Sequence, residues 1–255
     1  MTKKAVILLS GGIDSSTTLV IAKSQGFELY AMSFDYNQRH RREIDSARMV
    51  ASSTGVKKHL IVSFDMREIG GSALTSDIDM PHHASHITSI PATYVPARNT
   101  IFLSFALGWA EVLGAEDIYI GANAIDYSGY PDCRPDYIKA FEDMANLATK
   151  ASVEGRLWFR INAPLISMKK SDIIKKGIEL GLDYSLTWSC YDPQPQKVKS
   201  SKLKVQSYKE ENSELQTPKS ELIPCGRCAS CIFREKGFKE ASIRDPLIEF
   251  TEMNK

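Results

Sequence analysis

Ser10-Gly11-Gly12-Ile13-Asp14-Ser15-Ser16 stands between an apolar run, Ala5-Val6-Ile7-Leu8-Leu9, and a helix-like segment, 15–24. A buried strand that turns through two glycines into a helix makes an anion site. Glycines without a Cβ let backbone amides approach a phosphate closely. The helix start adds N–H groups without intrahelical acceptors and the positive end of its dipole. Ser10, Ser15, Ser16 and Thr17 add hydroxyl donors. Asp14 would be out of place in a bare anion pocket, but a hard Mg²⁺ among phosphates takes carboxylate oxygen. The stretch lacks the Gly-Lys-Ser/Thr ending of a Walker loop and the G-x-G-x-x-G spacing of a dinucleotide fold. An ordinary glycine turn capped by Asp or Ser is the plain alternative.

Outward from this loop, strand-like and helix-like segments alternate. Strands are expected at 27–36, 59–64, 117–121 and 160–165, and helices at 41–54, 98–113, 135–150 and 167–180. With the first strand, this predicts a Rossmann-like α/β fold, a parallel five-stranded sheet with helices on both faces. In the 98–113 helix the expected buried side holds Ile101, Phe102, Phe105, Ala106, Trp109, Val112 and Leu113, with Asn99 as a candidate cap. Between 66 and 96 the regular pattern lapses, as in many active-site lids. His82, His83 and His86 fall there and read as solvated loop rather than metal ligands.

The 255 residues are 43% hydrophobic and 25% charged, ordinary for a globular domain. A net charge of +1 gives no footprint for nucleic acid or for a polybasic membrane contact. No run approaches a membrane span or a signal segment, so a cytoplasmic protein is expected. A boundary is expected near 186, with the α/β domain that carries the anion loop at 1–186 and a smaller segment at 187–255. The latter contains a polar insertion at 193–224, rich in Lys, Ser, Glu and Gln.

Three of the five cysteines, Cys225, Cys228 and Cys231, form C-x-x-C-x-x-C, and Cys190 lies upstream. Four thiolates complete a tetrahedral Zn²⁺ shell, so one structural zinc per chain is expected. An Fe–S cluster would use the same four ligands. Cys133 reads as an isolated reduced thiol. Lys169 and Lys170 begin the 167–180 helix, where their charge opposes the dipole. That is understandable if one meets phosphate, and solvated lysines are the even alternative. The run 121–136, GANAIDYSGYPDCRPD, follows a strand end, where open α/β sheets bind ligands. Asp126, Tyr130, Asp132 and Arg134 there could read and stack a planar base, although turn-formers also make it a plausible surface loop.

The S-G-G-x-D-S pattern resembles the pyrophosphate loop of the N-type ATP pyrophosphatases, which split ATP into AMP and pyrophosphate while adenylating a substrate oxygen. Five further motifs narrow this: Q-R-H at 38–40, Y-V-P-A-R-N at 94–99, D-Y-S-G-Y-P-D-C-R-P at 126–135, T-W-S-C-Y at 187–191 and C-G-x-C-x-x-C at 225–231. Together they resemble the 7-cyano-7-deazaguanine synthase family of queuosine biosynthesis over nearly the whole chain. The resemblance implies a ligase that joins 7-carboxy-7-deazaguanine and ammonia, using two ATP, through an adenylated acid, an amide and an adenylated amide.

It further implies nucleotide contacts along Leu8, Leu9, Ser10, Gly11, Gly12, Ile13, Asp14, Ser15, Ser16, Thr17 and Thr18. Mg²⁺ would accompany ATP at Asp14, and Arg98 and Lys170 would steady charge during transfer. Arg39, His40, Asn99, Asp126, Tyr130, Asp132 and Arg134 would hold the deazaguanine, and a homodimer is implied. The chain departs from the family pattern at Asn37 in place of a glycine, at Ala229 in place of an aspartate, and in the longer linker between Cys190 and Cys225. Other adenylating enzymes, a tRNA thiolase or an NAD synthetase, are the nearest rivals. The small net charge opposes the first, and the cysteine cluster is superfluous to the second. A zinc-ribbon module with a degenerate ATP loop is a more distant one.

Overall fold

The computed structural model describes residues 2–38, 41–75, 90–125, 130–195 and 222–248. Chain order is β1 (Lys4–Leu8), α1 (Ile13–Ser24), β2 (Glu28–Asp35), α2 (Arg42–Thr54), β3 (Lys58–Ser63), α3 (Arg98–Leu113), β4 (Asp117–Tyr119), α4 (Pro135–Ala148), α5 (Lys150–Val153), β5 (Arg160–Asn162), α6 (Lys170–Glu179), β6 (Gln194–Pro195), β7 (Leu222–Ile223) and α7 (Ala229–Ala241). The five long-range strands form one parallel sheet in the order β3-β2-β1-β4-β5, as expected for the Rossmann-like class. The order reverses at β1, so the loop after it opens at the switch point, where such sheets bind ligands.

Each face of the sheet carries its own core, because alternate residues of β1 point to opposite sides. Val6 and Leu8 pack with Leu103, Ala106, Phe141 and Trp188, and Ala5, Ile7 and Leu9 with Leu19, Val50, Ile173 and Phe238. Helix α3 follows expectation in part, with Ala106 buried and Ile101, Phe102, Trp109 and Leu113 packed partly buried against the core. Its buried stripe is Asn99, Leu103, Ala106, Leu107 and Ala110, whereas Phe105 is half-exposed and Val112 is 84% exposed. The helix is apolar nearly all round, so periodicity alone could not choose its face. Nor does Asn99 cap it. Ala97 occupies the cap position in the left-handed region (φ 53°), and the Asp132 carboxylate accepts the Asn99 N–H at 3.1 Å.

Helix α7, which follows the cysteine motif, lies against α6. The two axes approach closely because Gly237 has no side chain; a Cβ there would fall 2.3 Å from Lys170 Cγ. Behind it, Arg234 and Asp245 form a pair, 5% and 3% exposed, with bonds of 2.6 and 2.8 Å. The same guanidinium donates to Thr187 Oγ1 at 2.8 Å and the Tyr184 carbonyl at 3.1 Å, pinning the chain just before Cys190. The two ends of the polar insertion pair as the antiparallel ribbon β6-β7, while its 196–221 portion lies outside the described residues. So do His82, His83 and His86, Arg39, His40 and Asp126. Asn37 adopts φ 62°, the conformation a glycine would take without strain. Its side-chain amide donates to Asp65 at 2.7 Å, which holds the turn in that conformation.

Candidate active site

A single cleft runs from the loop after β1, across the C-terminal ends of β2 and β4, to the cysteine-bearing segment. Leu8, Leu9, Ser10, Gly12, Ile13, Asp14 and Ser15 line one wall. Gly11 sits behind it at φ 81°, where a Cβ would fall 2.5 Å from both the Ala47 nitrogen and the Glu43 carbonyl oxygen. The loop is therefore packed directly on the start of α2, a position only glycine fits. Its hydroxyls are organised among themselves. Ser15 Oγ receives the Ser10 N–H at 3.1 Å, shares a bond with Ser10 Oγ at 2.9 Å and donates to the Gly12 carbonyl at 3.2 Å. The first N–H groups of α1 lack intrahelical acceptors and point out of the helix start. Ser16, Thr17 and Thr18 are fully buried and lie behind the wall. Thr17 bonds to the Ile13 carbonyl (2.8 Å) and Tyr184 hydroxyl (2.7 Å). Ser16 Oγ and Thr18 Oγ1 make no hydrogen bond among the described residues.

Asp14 and Lys170 meet across the cleft. The Lys170 ammonium donates to both carboxylate oxygens, at 2.7 and 2.8 Å, with the lysine side chain 8% exposed. Of the two lysines that open α6, Lys170 therefore turns inward, while Lys169 is the cap residue.

Arg98 enters from the other side, aimed by the left-handed turn at Ala97, whose N–H is held by the Tyr94 hydroxyl at 3.1 Å. Non-glycine residues in that region cost energy and cluster at functional sites. Burial works against the charged form of Arg98. The oxygens of Tyr36, Tyr130, Tyr191 and Asp132 outweigh it and hold the guanidinium ionised. Tyr130 lines the cleft and bonds to Thr93 Oγ1 at 2.7 Å. Asn99 lines it too, with its amide on the Asp132 carbonyl at 2.9 Å. The Asp132 carboxylate caps α3 and is not part of the lining, and Arg134 is exposed at the start of α4. Cys133 is buried on the cleft wall, its thiol pushed up to about 11 by burial.

The residue types that motif reading passed over are Tyr36 and Glu43. Both line the cleft. Burial pushes the Glu43 carboxyl up to about 7, against the pull of the Arg98 guanidinium. The signal was present in the sequence, since Glu43 follows the Q-R-H motif at the first turn of α2, but a first-turn glutamate is usually read as serving the helix dipole.

The cysteine cluster lies next in the chain to Ser189, Tyr191 and Ser230, which line the far end. The sulfurs of Cys190, Cys225, Cys228 and Cys231 all lie within 4.8 Å of one another, so they could hold a metal ion. Zn–S bonds of about 2.3 Å would set tetrahedral sulfurs about 3.8 Å apart, compatible with this cluster. Backbone N–H groups already point at two of them, Cys225 to Cys190 Sγ at 3.2 Å and Cys228 to Cys225 Sγ at 3.3 Å. Hydrogen bonds from Cys190 and Cys231 favour a thiolate at Cys228 and hold Cys190 as the thiol. Four sulfurs this close favour a cation that would relieve the competition. Between this cluster and the loop after β1 runs Trp188. Its N–H donates to the Gly11 carbonyl at 2.9 Å, its indole N–H to the Cys190 carbonyl at 3.0 Å, and Arg42 lies over its ring at 5.2 Å.

Among the described residues no helix is long and apolar enough to cross a membrane. A solved structure of NMN synthetase from Francisella tularensis overlays 76% of this chain and 66% of its own, with a TM-score of 0.44 and 18% identity. The 7-cyano-7-deazaguanine synthase of Geotalea daltonii is 57% identical over 247 residues, covering 97% of this chain and 96% of that protein. The enzyme of the same name from Syntrophotalea carbinolica is 55% identical over 246 residues, covering 96% of each. The family described as queuosine biosynthesis protein QueC matches residues 4–242, which span the nucleotide loop, Arg98, Lys170 and all four clustered cysteines; the chain belongs to the QueC family.

Proposed function

We propose that the protein is an ATP-dependent ligase that converts 7-carboxy-7-deazaguanine and ammonia into 7-cyano-7-deazaguanine. The observation that carries this reading is the sharing of one cleft by the S-G-G-x-D-S loop, Arg98 and Lys170 in a QueC-family chain. The substrate carboxylate attacks the α-phosphorus of ATP and releases pyrophosphate. Ammonia then displaces AMP to give the amide. The amide oxygen attacks a second ATP, and its departure as AMP leaves the nitrile. Little covalent chemistry falls to the protein in such transfers; it positions the partners and stabilises charge.

The N–H groups at the start of α1 and of the loop would hold the β- and γ-phosphates. Asp14 would share its carboxylate between Lys170 and the Mg²⁺ that accompanies ATP, since each oxygen has two lone pairs. Arg98, held ionised, would face the α-phosphate as charge builds there. The deazaguanine would lie toward Asn99 and Tyr130, with Arg39, His40, Asp126 and Arg134 as its further proposed contacts. Asp132 would then act through Asn99 and the backbone it orders. Zinc bound by the four cysteines would serve as a saturated structural staple. We read 1–186 as the ATP-binding domain and 187–255 as the appended segment, in a cytoplasmic homodimer.

Isotope transfer tests the mechanism. With ¹⁸O in the substrate carboxylate, the AMP released on amide formation is expected to carry one label. Unlabelled AMP alongside labelled amide and labelled water would contradict adenylation of the acid.

A further inference from the structure

Turning ammonia into a nitrile strips three protons from one nitrogen, so the cleft needs an acceptor for them. Among the described residues that line it, the carboxylates are Asp14 and Glu43. Asp14 is engaged by Lys170 through both oxygens. Burial raises the proton affinity of the Tyr36 and Tyr130 phenols and of the Cys133 thiol, so these hold their protons near neutral pH. Glu43 differs from all of these. It stands in the first turn of α2 with its backbone carbonyl against Gly11, which places it beside the nucleotide loop. The charge that acts on its carboxylate is that of Arg98.

We propose that Glu43 is the proton acceptor for the nitrogen in both the amination and the dehydration step. This rests on the adenylation reading above. In the first step the ammonia lone pair forms a C–N bond to the carbonyl carbon of the acyl adenylate, and the C=O pair moves onto oxygen. Glu43 takes one proton from the new ammonium centre and passes it to water. The C=O then re-forms, the C–O bond breaks, and AMP leaves with that electron pair. In the second step the amide oxygen has displaced pyrophosphate from ATP, and the nitrogen, double-bonded to carbon, carries two protons and a positive charge. Glu43 takes one and passes it to water. It then takes the other as the N–H pair closes the C≡N bond and AMP departs with the oxygen. Glu43 suits this role because its proton affinity lies close to neutral, where an acceptor both holds enough negative form and binds a proton well. Among the described residues, the charged and titratable groups around it are Arg98 from α3, Tyr36 just after β2, and, along the cleft, Tyr130, Tyr191 and the Asp14–Lys170 pair.

The test compares the full-length, metal-loaded wild type with Glu43→Gln and Glu43→Asp between pH 6 and 9. Substrate-dependent exchange of pyrophosphate into ATP reads the first adenylation, which needs no nitrogen. Mass spectrometry at saturating ammonium reads amide and nitrile. In Glu43→Gln, amide and nitrile formation are expected to fall about 100-fold or more while exchange changes less than about threefold. The wild-type rate should rise through about pH 7, a limb the glutamine variant lacks. Glu43→Asp should recover part of the rate, with its limb displaced to lower pH. Product formation within threefold of wild type in Glu43→Gln overturns the proposal. So does exchange that falls in parallel with amide formation, which would make Glu43 a support of the loop. Should the glutamine variant not fold, an unmoved limb in Glu43→Asp overturns it alone. Absence of exchange in the wild type removes the adenylation reading, and this proposal with it.

Discussion

Lys170 joins a proposed chemical role to an architectural one. Its ammonium holds both oxygens of Asp14, while its Cγ lies where a Cβ on Gly237 would intrude. Lys170→Ala is expected to lower adenylation by about 10²–10³, as removal of a charge stabiliser from a preorganised site does. Arginine should not rescue it, because a fork-shaped guanidinium cannot reproduce a point charge in this packed crossing. Measuring pyrophosphate exchange in both variants decides this; near-normal exchange in Lys170→Ala would remove Lys170 from the transfer step, and near-normal exchange in Lys170→Arg would show that any cation suffices there. Gly11→Ala tests the loop itself. At φ 81°, with backbone atoms 2.5 Å from the new Cβ, it should cost on the order of 2 kcal/mol or more and displace the loop. Thermal melts with and without ATP report both effects, and an unshifted midpoint would contradict the packing of the loop on α2. These constraints were only half legible beforehand. Two glycines beside a strand announced a tight turn into a helix. That Gly11 answers to Glu43 and Ala47 needed the fold.

At the scale of elements, the segment from Tyr184 to Cys190 joins the cysteine cluster to the nucleotide loop. Arg234 and Asp245 pin its start, and the Trp188 N–H bonds to Gly11. Asp245→Ala would leave the Arg234 charge buried without its carboxylate and is expected to destabilise the protein by about 3–5 kcal/mol. Denaturant unfolding measures this, and a loss below 1 kcal/mol would show the pair to be dispensable. Metal removal by a chelator under reducing conditions should lower the melting temperature and raise KM for ATP, because the freed segment loosens its hold on Gly11. An unchanged KM with a lowered melting temperature would confine the metal to stability. Strands and most helices were legible because their periodicity and breakers agree. The face of α3 was not, since Val112 and Leu103 look alike in composition yet one is solvent-facing and the other buried. Helix α7 was also missed. Its buried side includes Arg234, Ser230 and Gly237, residues that carry no hydrophobic signal.

For the whole molecule, Glu43 couples stability to pH with a defined sign. Its folded proton affinity lies near 7 against 4.5 for an exposed glutamate, so the native state holds the proton more tightly. The stabilisation is fully present below 4.5 and is lost as pH rises through 7. Glu43→Gln should therefore narrow the difference in melting temperature between pH 5.5 and pH 8; an unchanged difference would assign that pH dependence to other groups. The same ionisation that costs stability would make the carboxylate available as a proton acceptor. The cysteine motif and the loop after β1 were readable as separate motifs. The cleft that the loop shares with Arg98, Lys170 and Ser189 was not, because β1, α3, α6 and the 187–195 segment are far apart in the chain. The measurement that bears most directly on the account is the product stoichiometry of purified, metal-loaded protein given 7-carboxy-7-deazaguanine, ammonium, ATP and Mg²⁺. The account predicts 7-cyano-7-deazaguanine with two AMP and two pyrophosphate per turnover. Accumulation of the amide with one AMP, or release of ADP and phosphate in place of AMP, would contradict it.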